Sequence, residues 1–149
     1  MTDGKTSYRS SKTTRQYDIT RHYTCQSRFI VYLVTCLLCV DKKQYTGQTI
    51  RRMADRHRGH RAEIKSAADG LGEHFHKHLI DMGLDPKCDI EKIVPYFDLV
   101  VIASVNPDTL GAEDRLDRLE ADFQHRLMTM INHGGINLRD ESRKHRRKN

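Results

Sequence analysis

Residues 28–35 read RFIVYLVT, and residues 43–47 read KQYTG. The first run is dense in β-branched and aromatic residues. The second follows after a short link holding Asp41 and Lys42, so the two predict a hairpin of adjacent strands. From Ile50 the period changes: Ile50, Met53, His57 and Ile64 fall on one side of a helix that runs to about Ala67, where Asp69 and Gly70 break it. A shorter helix holds Leu71, Phe75, Leu79 and Ile80 and ends near Gly83. Residues 97–105 (FDLVVIASV) form the third strand, closed by Pro107. A last helix over residues 113–131 carries Leu116, Leu119, Phe123, Leu127 and Met130 and stops before Gly134 and Gly135. The order β-β-α-α-β-α predicts an α/β fold, a small layered domain whose three-stranded sheet, mixed or antiparallel, is flanked by helices.

At 149 residues the chain has material for one core, not two. Residues 1–22 are rich in Ser, Thr, Lys and Arg without an apolar period and are expected to be a basic flexible arm; residues 23–139 form the domain and 140–149 a basic tail. Of the net charge of +6, residues 1–22 carry +3 and those after Leu138 carry +4, so the body between is close to neutral. Basic arms on a neutral body suit a polyanion, since each cation placed on a phosphate releases a counterion; a solubilising or localising tail is the competing account. No stretch approaches the roughly 20 apolar residues of a membrane span, and the start is polar and basic, so an intracellular, nuclear location is expected. With thiols kept reduced there, the close pair Cys36 and Cys39 points to metal before disulfide.

Two features are anomalous for a structural reading. Glu120 falls between Leu116, Phe123 and Leu127 on the last helix, inside its apolar stripe, where a carboxylate needs a cation or a hydrogen-bond network. Arg56 and His60 lie one turn apart, about 40° from each other around the first helix, on the flank of its apolar stripe and at the expected rim.

Read together, the elements resemble the GIY-YIG endonuclease superfamily. Ile30-Val31-Tyr32 stands at the first tripeptide and Tyr45-Thr46-Gly47 at the second, followed by Arg56, His60, the late-helix Glu120 and a closing Gly135-Ile136-Asn137. Ile30 replaces a glycine and Thr46 an isoleucine, positions that supply no catalytic group. The resemblance implies DNA phosphodiester hydrolysis with Mg²⁺ or Mn²⁺ on Glu120. Arg56 would neutralise the phosphoryl centre, Tyr32 and Tyr45 would orient or deprotonate the water, and His60 would assist that transfer. Asn137 would position Glu120 or the backbone. Because a free tyrosine with pKa near ~10 is a poor base, this scheme requires Arg56 or the metal to depress it.

Cys36-x-x-Cys39 and His74-x-x-x-His78 have the spacings of tetrahedral zinc ligands and predict a structural Zn²⁺. Cys25 is an alternative to one histidine, Cys88 is expected to be a lone core thiol, and a buried thiol pair beside a solvated histidine run, His76 included, is the metal-free account. The chain is most similar to the endonuclease domain of Penelope-like retroelements, which carry cysteines at this place with downstream histidines. A zinc-stabilised nucleic-acid-binding module without chemistry is the alternative function.

Overall fold

The computed structural model describes residues 5–68 and 71–138. The main sheet contains β3 (Ile30–Cys36), β4 (Gln44–Thr49) and β5 (Phe97–Ser104), ordered β4-β3-β5 with both pairings antiparallel. Helices α1 (Met53–Ser66), α2 (Leu71–Asp81) and α3 (Pro86–Ile93) connect β4 to β5, and α4 (Ala112–Arg126) follows. The predicted α/β layering is present, and its sheet is antiparallel.

The sequence of β3 is a continuous apolar run because both its faces are covered. Alternate side chains of a strand point to opposite faces. Ile30, Tyr32, Val34 and Cys36 therefore pack with Met53, Ile64, Phe75 and Ile90 of the three connecting helices. Val31 and Leu33 pack with Val100, Ile102, Leu116, Phe123 and Leu127, beneath α4. Helix α1 has no side-chain cap; its first amides donate instead to the carbonyls of Ser27 and Cys25, at 3.1 and 2.9 Å. Among the described residues no helix is long and apolar enough to cross a membrane.

The expected flexible arm is corrected. Within residues 1–22, β1 (Ser7–Arg9) and β2 (Gln16–Asp18) form an antiparallel hairpin. Its Tyr8 is buried against Val31 and Phe123, and the Ser10 hydroxyl donates to the Leu127 carbonyl at 2.8 Å. Strands of three residues are too short to show a period, so the aromatic pair stacked on the hairpin, Tyr8 and Tyr17, was its only signal. Helix α3 is a further addition, started by Asp85 accepting from the Lys87 amide with Pro86 in the first turn. Ile50 and Ile80, expected in apolar stripes, are exposed, as is Cys88, expected in the core. The last helix ends at Arg126 instead of near residue 131. The tail 140–149 lies outside the described residues.

Candidate active site and metal centre

The antiparallel register sets Tyr32 opposite Gly47 and Val34 opposite Tyr45, so both tyrosines project from the same face as diagonal neighbours. Their ring centroids are 6.4 Å apart. A Cβ at position 47 would stand 2.7 Å from the Tyr32 hydroxyl and 2.7 Å from the Tyr45 ring. Only glycine lets the Tyr32 hydroxyl cross strand β4 beside Tyr45.

Helix α1 brings two more groups to this point. The His60 ring lies 5.9 Å from that of Tyr32, and the Arg56 guanidinium hydrogen-bonds the Tyr32 side chain. His60 is buried and not at a rim as expected, and its Nε2 has no hydrogen-bond partner. Burial, and then the charges of Arg56 and His57, bring its pKa down to about 3. Tyr32 is pushed up to about 12 by burial, Arg56 opposing this and Glu120 adding to it. That is the reverse of the depression the base role of Tyr32 requires: the desolvation of a fully enclosed phenol outweighs one adjacent cation. Burial also disfavours charge on Arg56, but Tyr32 and a pair with Glu63 outweigh it and hold the guanidinium more firmly protonated than usual.

Glu120 on α4 is buried, 2% exposed, and accepts from the Gln124 amide at 3.3 Å. One turn earlier on the same helix, Asp117 accepts from Gln48 of β4. Gln48, Arg51, Arg56, Glu63, Glu113 and Asp117 line a cleft of about 440 Å³ beside these groups. Asn137 is elsewhere: its side chain accepts from the Thr46 amide at 2.8 Å and donates to the Thr46 carbonyl at 2.9 Å. It clamps the backbone of β4, the second of its two expected roles. The Thr46 hydroxyl meets that of Thr129 at 3.1 Å, a polar contact that isoleucine could not make. Sequence reasoning missed Glu63 and Asp117. Their signals were helical spacing, two turns after Arg56 and one turn before Glu120.

The expected zinc set is brought together only in part. Ligand atoms of Cys36, Cys39 and His78 all lie within 4.8 Å of one another. The amides of Leu38 and Cys39 donate to the Cys36 sulfur, and that of Lys43 to the Cys39 sulfur at 3.1 Å. Burial, and then Lys43, bring the His78 pKa down to about 4, and its buried Nε2 lacks a hydrogen-bond partner. His74 is corrected. It is fully buried against the edge of Tyr45, its Nδ1 accepts the Leu138 amide at 3.0 Å, and it stands outside the group. One helical turn of separation, about 5.4 Å along the axis, puts His78 beside the cysteine turn and leaves His74 at the sheet. Cys25, which lies at the start of α1, is also outside the group. Two sulfurs and one imidazole nitrogen suit a zinc-like ion, and the orphaned Nε2 of His78 is the atom such an ion would satisfy.

The chain matches no known protein family, no curated protein and no solved structure.

Proposed function

We propose that the protein is a divalent-metal-dependent endonuclease that nicks DNA, of the type the GIY-YIG and Penelope-like resemblance implies. One observation carries this reading. Residues distant in sequence converge on Tyr32: Tyr45, His60 and Arg56 stand beside it, and the charge of Glu120 reaches it. The Glu120 and Asp117 carboxylates, one turn apart on α4, offer the hard oxygen donors that Mg²⁺ or Mn²⁺ prefers. Held by these carboxylates, such an ion would supply charge neutralisation for the phosphoryl group. Arg56, permanently charged at the cleft, meets the charge that builds on the phosphoryl group. Tyr32, a neutral phenol at physiological pH, serves as a hydrogen-bonding group that orients the attacking water. His60 stays a neutral imidazole, and the burial and cationic neighbours that keep it so also oppose its taking a proton, so its part is that of a neutral hydrogen-bonding group. Cys36, Cys39 and His78 hold a structural zinc that ties the β3–β4 turn to α2.

A second reading, a zinc-stabilised nucleic-acid-binding module without chemistry, is favoured by the ion pair of Arg56 with Glu63, which balances the guanidinium charge without substrate. Supercoiled plasmid incubated with Mg²⁺ or Mn²⁺ separates the two. Nicking by the wild type that is lost in Glu120→Gln supports the nuclease; binding without nicking supports the module.

A further inference from the structure

Arg56 and Glu63 are seven residues apart on α1, two turns along one face, yet Arg56 Nη1 meets both Glu63 carboxylate oxygens, at 2.6 and 2.5 Å. Gly59 lies between them on that face: a Cβ there would stand 3.3 Å from Glu63 Oε1, close enough that the carboxylate would have to give by a few tenths of an ångström. The pair is largely shielded from water, with side chains 13% and 26% exposed, unlike the outward pairs of the same helix such as Arg52 with Asp55. Glu63 itself stands on a fixed base, since its carbonyl accepts the Ala68 amide at 2.9 Å where α1 ends. Because Nη1 alone serves the carboxylate, the Nε and Nη2 donors remain for the Tyr32 hydroxyl and for the cleft that Arg56 and Glu63 both line.

We infer that Glu63 is a positioning residue that locks the Arg56 guanidinium in one orientation, its remaining donors aimed at the Tyr32 hydroxyl and at a phosphodiester in the cleft. The inference rests on the nuclease reading for its consequence in catalysis but not for the lock itself. Arginine has many rotamers, and a guanidinium free to sample them would contact the transition state only part of the time. The carboxylate removes that freedom before substrate arrives. It leaves the chemistry to Arg56.

The test uses the whole chain with Glu63→Ala and Glu63→Gln, the amide retaining one acceptor oxygen for Arg56. In metal-free protein, NMR of the arginine side chains, with Arg56 assigned by its loss in Arg56→Lys, reads the lock directly. Separate, slowly exchanging Arg56 signals are expected in the wild type and Glu63→Gln, and averaged signals in Glu63→Ala. In single-turnover nicking, Glu63→Ala should slow the chemical step roughly tenfold or more, with DNA affinity within a few-fold, and Glu63→Gln should recover most of the loss. Arg56 signals that are equally averaged in wild type and Glu63→Ala overturn the lock. A wild type that never nicks removes the nuclease reading and leaves the NMR comparison to decide the lock. An intact lock with an unchanged nicking rate in Glu63→Ala overturns its role in catalysis.

Discussion

Glu120 and His60 are buried polar residues, one on α4 and one on α1. Glu120 was legible as a carboxylate inside an apolar stripe, and it is buried. Its Gln124 partner can donate equally to an amide oxygen, so Glu120→Gln should cost less than about 1 kcal/mol in the absence of divalent ions. Nicking should fall by about 10² or more. Melting and single-turnover assays on the same preparation check both, and a strongly destabilised Glu120→Gln would return the residue to a structural role. His60 was expected at a rim because its angle on the helix is lateral, but Tyr32 of β3 covers that flank of α1. Its folded pKa of about 3 lies below the ~6.5 of a free imidazole. The unfolded chain therefore binds the extra proton between those values, and stability is full above about pH 6.5 and drains as pH falls toward 3. The loss at pH 4 should be about 3 kcal/mol. Denaturant melts at pH 7 and pH 4 should show it in the wild type and show it reduced in His60→Gln.

At the scale of elements, long periodic segments were legible and short ones were not. The paired strands β3 and β4, helix α1 and strand β5 announce themselves by composition and period. The hairpin β1–β2 does not, since its contribution is concentrated in Tyr8 and Ser10. Deleting residues 1–22 consequently removes core, and Tyr8→Ala should cost about 3 kcal/mol, as for other buried aromatics. Chemical denaturation that finds either change neutral would restore the picture of a flexible arm. Helix α3 was readable from Asp85-Pro86, a capping residue before a proline, but its eight residues contribute too few apolar positions to draw notice. The β3–β4 register has its own consequence. Gly47→Ala inserts a methyl where no space exists, and overpacking of this kind typically costs 1–3 kcal/mol. Because the methyl meets Tyr32 and Tyr45 first, nicking should decline further than stability alone explains. A variant with wild-type melting and activity would show that the tyrosines yield freely.

Over the whole molecule, the proposed metal group would cross-link parts that one apolar cluster already packs together. Cys36 and Cys39 come from the end of β3 and its turn and His78 from α2; His74 was expected with them and stands apart, because spacing along one helix cannot say which turn faces the sheet. Freshly purified protein should contain one zinc per chain, and chelation should lower its melting midpoint. Cys36→Ser should melt near the chelated value and respond little to chelator, whereas His74→Gln should still bind the metal. Zinc content measured across these variants checks the ligand set, and a metal-free wild type would remove it.

The clamp that Asn137 places on Thr46 also governs how this sheet can meet other chains. With Thr46 held on both its amide and its carbonyl and the Gln44 carbonyl taken by the Ile136 amide at 2.9 Å, the outer side of β4 is sealed by its own C-terminal segment. β5, at the opposite edge, has no strand partner on its outer side among the described residues. Unpaired edges are where sheets recruit strands. Any self-association by strand addition is thus steered to β5, and a symmetric pair joined there would form a six-stranded sheet with its two β4 strands about 24 Å apart at opposite ends. Tyr45, on β4, would lie at the outer margin of each half, and Tyr32, on β3, one strand in from the joint, so strand addition at β5 would leave the β4 edge as it is.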